Sequence, residues 1–442
     1  MSLTIRHVDL RGSNIMEKFE VIIAGAGLAG LAAAYTLASQ GTEVLVLERG
    51  DYPGAKNVSG GRIYLNPIRG LFPGLFDEAP LERFIVHEGF SLLAKKRTVT
   101  LSYSGDELRE EPHQSFSVLR SKFDRWLAEQ VESNGAILLS KVRVEDLIEE
   151  KGRVVGVVAG GDELRADVVM ICDGVLSLLS EKAGLRTAPL PRNYALGIKE
   201  VIKMTKEAVD ERFGLQGNEG AARLYVGEVT RGRFGGGFIY TNRDSVSLGV
   251  VIGIDALLKH EELDAPAVID SFKERPEVSA LIRGGETVEY SAHLIPEGGY
   301  DAIGKLYGEG VLAAGDAAGF ALNIGFTVRG MEYALASGYY AARAILQAKE
   351  DGDFSSRGLS VYKNFLEDSF VLKDLRNFRE APRVIENPRF FEYYPEMIGA
   401  IMKDIYGVPE GPKERLYLTV KRRLSLKELW SIFMDLKGVM KI

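Results

Sequence analysis

The chain has 442 residues, five histidines, a single cysteine and a formal net charge of −7, which argue against a nucleic-acid partner, an internal disulfide and a resident metal or iron–sulfur site. Its 46% hydrophobic and 26% charged residues are ordinary for a globular protein long enough to form two or three lobes. No run approaches the roughly 20 apolar residues a membrane span needs.

The first fifteen residues hold no apolar signal core and read as a short extension before a body that begins near Met16, in a cytoplasmic protein. Residues 19–24 are an uninterrupted apolar run, the pattern of a strand buried on both faces. Gly25, Gly27 and Gly30 follow in G-x-G-x-x-G spacing, then an Ala-rich helix stopped by Gly41, then a second strand ending on Glu48. Gly25 permits the tight turn, Gly27 lets a pyrophosphate approach the backbone, and Gly30 lets helix and strand pack closely. The helix N-terminus favours phosphate, and Glu48 lies at the right distance to accept ribose hydroxyls. This stretch predicts an adenine dinucleotide site and leaves NAD and FAD equally open.

Gly60-Gly61 marks either a close backbone approach or a flexible loop. Leu71, Phe72, Leu75 and Phe76 lie on a Pro/Gly-rich segment, where such side chains are either buried or in contact with lipid or protein. A strand is expected over 97–103. The next helix carries Phe123, Trp126 and Leu127 on one face, with Arg120 at its start to meet a phosphate or a surface acid. Strands are expected at 136–139, 153–158 and 166–172, the last ending in Asp173-Gly174, with Cys172 a small core residue. From 192 to 288 β-branched and aromatic runs predict a separate sheet, with a bulge or close ligand approach at Gly235-Gly236-Gly237. Gly315-Asp316 then ends another strand, where the acid can accept from a ligand hydroxyl. Gly325, Phe326 and Thr327 precede a helix expected over 328–347, whose first N–H groups would meet developing negative charge. The C-terminal part reads as helical, with an aromatic cluster at 390–394 and a last helix presenting Leu429, Trp430, Phe433 and Leu436 on one face. That face would dock on the body, on a partner or on a membrane.

GAGLAG with Glu48, the strand ending at Asp173-Gly174, and AAGDAAG with its trailing helix stand in the order that resembles FAD-dependent monooxygenases and reductases of p-hydroxybenzoate hydroxylase type. Within that superfamily LERGDYPGAKNVSGG, GGGFIYTNRDSVSLGVV and NIGFTVRGMEYALASG resemble the FixC family. These are electron transfer flavoprotein–quinone oxidoreductases, including the quinone-linked subunit of bifurcating complexes. The resemblance runs over nearly the whole chain.

It implies an α/β fold. A Rossmann-like FAD-binding domain with a parallel sheet would be assembled from 16–190 and 290–350, with 60–118 an insertion bordering the quinone site. A β-rich quinone or substrate domain would lie at 191–289, and a helical region for partner docking at 351–442. It implies that Gly25, Gly27 and Gly30 hold the FAD pyrophosphate, Glu48 with Arg49 beside it the adenosine ribose, and Arg120 the phosphate or ribityl region. Asp173 and Gly174 would lie near the dinucleotide, Gly315 and Asp316 at the ribityl chain, and Gly325, Phe326 and Thr327 along the isoalloxazine. Leu71 to Phe76 would dip into the membrane, placing the protein on its inner face. The implied activity passes electrons from the α and β subunits of an electron transfer flavoprotein to menaquinone or ubiquinone. With Cys172 alone, a [4Fe–4S] cluster would come from a separate ferredoxin-like FixX-type subunit. No catalytic acid, base or nucleophile is expected. A geranylgeranyl reductase acting on prenyl lipids is the alternative.

Overall fold

A computed structural model describes residues 18–57, 61–188, 190–260 and 262–442; the N-terminal extension and Gly60 lie outside the described residues. The apolar run becomes the strand Lys18–Ala24, parallel to Val44–Glu48 on one side and to Asp162–Ile171 on the other. Ile137–Ser140 pairs beyond Val44–Glu48, and Val311–Ala313 beyond Asp162–Ile171. Five parallel strands therefore stand in the order 311–313, 162–171, 18–24, 44–48, 137–140. Chain direction across the sheet reverses at Lys18–Ala24, and such a switch point opens a crevice at the carboxyl ends of the strands. The sheet is discontinuous in sequence, as expected.

Helices Leu28–Ala38 and Met331–Asp351 cross against each other on this sheet. Their closeness rests on Gly338, where an added Cβ would lie 2.1 Å from the Ala29 carbonyl oxygen. Gly30 plays the part expected of it: its Cβ would meet the Gly25 carbonyl at 2.0 Å.

Among the described residues the second sheet has nine strands. Its spine runs Glu286–Pro296, Tyr194–Lys203, Ser245–Gly253, Gly235–Thr241, Glu219–Gly227, Phe84–Leu93. Gly61–Tyr64, Thr98–Ser104 and Ser115–Val118 complete it, so segment 61–118 supplies four strands and the sheet reaches past both ends of 191–289. Ile198, Ile239, Val250 and Ile252 face a core closed by helices Lys206–Phe213, Ala265–Glu274 and Pro276–Ile282, so alternate residues on the same strands face the first domain. Gly235 to Gly237 form a regular ladder with no bulge. A Cβ on Gly235 would lie 2.0 Å from the Val251 carbonyl, and all three glycines line the cavity described below.

Two expectations are corrected. Phe72, Leu75 and Phe76 are 3%, 8% and 5% exposed, and Leu71 packs against the same core. Phe72 meets Tyr35, Phe76 and Tyr339 at centroid distances of 6.3, 5.8 and 5.5 Å, so these apolar side chains pack inward on the core and do not project from the loop. The helix expected from 328 starts at Met331, because Leu322–Asn323 and Val328–Arg329 first close a small hairpin.

The C-terminal helix Leu426–Val439 begins on a Ser425–Glu428 capping box. It lies on the aromatic cluster through its polar side, where Asp435 accepts from Arg389 Nε at 2.7 Å, Asn387 Nδ2 at 2.8 Å and the Tyr394 hydroxyl at 2.5 Å. Leu429, Trp430, Phe433 and Leu436 turn outward instead, 47–65% exposed. Among the described residues no helix is long and apolar enough to cross a membrane.

Candidate functional site

The carboxyl ends of the parallel strands and the facing side of the second sheet enclose a cavity of about 800 Å³, towards the upper end of the roughly 300–1,000 Å³ usual for ligand sites. Gly25, Gly27, Glu48, Arg49, Arg120, Asp173, Gly174, Gly315, Asp316 and Gly325 all line it. Four strand ends far apart in sequence are thereby brought together. Gly30, Phe326 and Thr327 are not in its wall. Phe326 is 62% exposed, with its ring 4.4 Å from that of Phe90.

One end is built by the glycine turn. Gly25 has φ +109°, open to glycine alone without strain, and its Cβ would strike the Cys172 carbonyl at 2.3 Å. Gly27 has ordinary extended backbone, yet a Cβ there would find nothing within 4 Å, so the missing side chain is the space of the cradle. No side chain caps the helix that starts there, which leaves its first N–H groups to a phosphate. Glu48 is pinned across the turn, accepting from Ala26 N at 3.0 Å and from Gly50 N at 2.5 Å, and each carboxylate oxygen keeps a lone pair for a ribose hydroxyl.

Arg120 stands mid-cavity. Its Nε and Nη2 each donate to Asp124 at 2.7 Å, a bidentate pair one helical turn long, and Asp124 also accepts from Asn57 Nδ2 at 2.7 Å. Asp124 is fully buried, so the pair is internal rather than a surface bridge. Opposite, burial pushes the Asp316 carboxyl up, and Arg120 opposes that shift. Burial likewise raises Asp173; its Oδ2 accepts from Leu179 N at 3.3 Å, while its Oδ1 is buried with no hydrogen-bond partner. An open glycine cradle, an uncapped helix and an orphaned carboxylate oxygen fit a bound dinucleotide.

At the far end the hairpin after Leu322 reaches the second sheet. Gly325, at φ +85°, turns its tip, but its N–H donates to Asn323 Oδ1 at 2.9 Å and is not offered to a ligand. The helix N-terminus that borders the cavity is at Gly330 and Met331. Arg329 pairs with Glu332 at 2.6 Å and Asp374 at 2.7 Å, and Arg62 with Glu88 at 2.5 Å. Both guanidinium groups lie over the Tyr64 ring, at 5.9 and 4.5 Å, fastening the hairpin to the sheet.

Sequence reasoning missed the groups the second sheet supplies. Lys199, His293 and Glu297 line the cavity. Burial and then Arg120 draw the Lys199 ammonium down to about 7. Burial, Arg120, Arg49 and Lys199 lower His293. Burial raises Glu297 to about 7 despite a 3.2 Å bond from Asn323 Nδ2. Strand alternation gives the direction of each side chain, but nothing in the sequence says which sheet face meets the first domain. Asp124 was legible in principle, as the acid four residues after Arg120 on a helix.

Residues 18–212 match the FAD binding domain family, and residues 194–295 match the ETF-QO, ubiquinone-binding family. A probable electron transfer flavoprotein-quinone oxidoreductase, YdiS of Escherichia coli K12, is 44% identical over 416 residues, covering 93% of this chain and 97% of its own. Protein FixC of Bradyrhizobium diazoefficiens is 40% identical over 419 residues, covering 93% and 94%. Among solved structures, a geranylgeranyl bacteriochlorophyll reductase-like protein from Thermoplasma acidophilum superposes with a TM-score of 0.71 at 18% identity, over 96% of this chain and all of its own. The flavin-dependent brominase Bmp2 gives 0.64 at 17% identity, over 96% and 98%. At these identities the two structures speak for the fold alone. With glycine cradle, discontinuous parallel sheet and near full-length identity in agreement, the chain belongs to the FixC and electron transfer flavoprotein–quinone oxidoreductase family and is an FAD-dependent oxidoreductase.

Proposed function

We propose that this protein takes electrons from an electron transfer flavoprotein and passes them to a membrane quinone, menaquinone or ubiquinone. The observation that carries the reading is the cavity's continuation over the second sheet. There Leu224, Val226, Phe234 and Val251 make an apolar wall on a segment matching a ubiquinone-binding family. FAD, when bound, supplies the electron-transfer chemistry. Gly25 and Gly27 would hold its pyrophosphate, Glu48 its ribose, and Arg120 and Asp316 its middle. The apolar wall orients a quinone head and excludes water.

The protein acts at the inner face of the cytoplasmic membrane, within an assembly containing the α and β subunits of the flavoprotein. The one cysteine cannot ligate a [4Fe–4S] cluster, so the reading assigns the cluster to a FixX-type ferredoxin-like subunit. Its docking surface is the outward face of Leu426–Val439, rimmed by the exposed Lys427, Lys437 and Lys441, a basic border that suits an acidic partner. The aromatic cluster at 390–394 lies beneath that helix.

Stopped-flow mixing with reduced electron transfer flavoprotein, followed by a short-chain quinone, tests the reading. Rapid bleaching and quinone-dependent recovery of the flavin band are expected. A flavin that stays oxidised sinks it, and saturation of a prenyl lipid would point to the reductase alternative. Co-purification with a tagged chain tests the partners, with two flavoprotein subunits and a ferredoxin-like protein expected.

A further inference from the structure

The Gly325 N–H is taken by Asn323 and is not offered to charge on a flavin ring. The second sheet also brings positive charge to the cavity. Lys199 lies on Tyr194–Lys203, out of phase with Ile198 and Ile202, which face the sheet's own core, so strand alternation turns Lys199 to the cavity. It is 8% exposed.

Its setting is built across three strands. Lys199 stands opposite Gly249, and Gly249 stands opposite Phe238. A Cβ on Gly249 would lie 2.4 Å from Phe238 Cζ, so the missing side chain leaves room for the ring to lie across the sheet towards Lys199. The Lys199 Nζ sits 5.4 Å from the centre of that ring, whose π-face favours a cation. A buried lysine is uncommon, and this one shares the cavity with Arg120, Arg49 and His293, with Glu289 as the acid acting on it. Arg120 in turn acts on Asp316, the acid assigned to the ribityl chain, so Lys199 and Asp316 share Arg120 as a neighbour in the cavity.

We propose that Lys199 faces the isoalloxazine ring of bound FAD and stabilises the negative charge the ring holds after taking up two electrons and one proton. The inference rests on the chain being an FAD oxidoreductase and not on which protein donates electrons or which quinone accepts them. An anion beside Lys199 opposes both burial and Arg120, the two influences that draw its ammonium down.

The test uses the FAD-loaded protein with dithionite and sulfite, and neither flavoprotein nor quinone. Lys199→Met is expected to shift the reduced-to-oxidised ratio at a fixed potential at least tenfold towards oxidised, about 30 mV for a two-electron couple. It should also weaken the sulfite adduct of the flavin at least tenfold, while Lys199→Arg stays within about threefold of the parent on both readouts. Potential and sulfite affinity unchanged in Lys199→Met with full FAD occupancy overturn the proposal. Lys199→Gln covers the case in which methionine unfolds the chain. Loss of FAD from both neutral variants but not from Lys199→Arg supports a required charge, and loss from all three makes the residue structural and overturns the proposal.

Discussion

Arg120 and Asp124 hold each other by two bonds of 2.7 Å, with the carboxylate fully buried and the guanidinium facing the cavity. Asp124 therefore aims the arginine, and Asn57 aims Asp124. Removing one partner of a buried pair costs about 3–5 kcal/mol because the other charge is left without compensation. Asp124→Ala is expected to lose stability of that order in urea unfolding and to release FAD at least tenfold more readily, read by flavin fluorescence. A variant that keeps parent FAD affinity would remove Arg120 from the cofactor site.

Two glycines with opposite surroundings separate binding from folding. A side chain at Gly27 meets nothing in the protein, whereas one at Gly338 meets the Ala29 carbonyl at 2.1 Å. Gly27→Val is expected to fold with a near-parent circular dichroism spectrum and to purify colourless. Gly338→Ala, by forcing two helices apart, is expected to cost roughly 1–3 kcal/mol, a typical price of overpacking a tight core, and to lower the unfolding midpoint even without FAD.

Phe72 and Trp430 are both large aromatic residues in candidate contact segments, and the structure sends them opposite ways. Phe72→Ala is expected to cost about 3–5 kcal/mol as a core cavity, with no change in sedimentation with lipid vesicles. Trp430→Ser, on a 65% exposed side chain, is expected to change stability by under about 0.5 kcal/mol and to weaken retention of a ferredoxin-like subunit in pull-downs. Unchanged retention would move the docking surface off the last helix.

Glu297 gives a pH signature. Burial raises its carboxyl to about 7, above the roughly 4.3 of an unfolded glutamate. The folded chain therefore binds the extra proton, and stability is full below about pH 4 and falls as pH rises through 7, a loss of order 3 kcal/mol when complete. Glu297→Gln keeps an acceptor for Asn323 Nδ2 and removes the ionisation. Urea unfolding of the FAD-free protein is expected to show Glu297→Gln more stable than the parent at about pH 8, with the difference shrinking to roughly 1 kcal/mol at about pH 5. An equal difference at both pH values would mean the carboxyl does not titrate in this window.

The strand–glycine–helix–strand unit, the strands of the second sheet and the helix after Leu119 were readable because each rests on local pattern: period, chain breakers and glycine spacing. The helix expected at 328 was placed three residues early because the pairing of Val328 and Arg329 with Leu322 and Asn323 does not show in the local pattern. Leu71 to Phe76 were apolar on a turn-rich segment, and only the arrival of Tyr339 from the far side of the chain, 5.5 Å from Phe72, made that segment core.

The sequence by itself determined the strand–glycine–helix–strand unit from which an adenine dinucleotide is expected over Gly25 and Gly27, because apolar runs and glycine spacing are local properties of residues in a fixed order. Its FixC-type motifs carried the choice of FAD. The tertiary structure alone decided which groups share the cavity with that cofactor. Lys199, His293 and Glu297 come from strands Tyr194–Lys203 and Glu286–Pro296 and the residue that follows, about 150 residues or more beyond the glycine turn, and their side chains meet the first domain only because helices cover the opposite face of the sheet. Local pattern gives alternation; which face is covered depends on long-range packing.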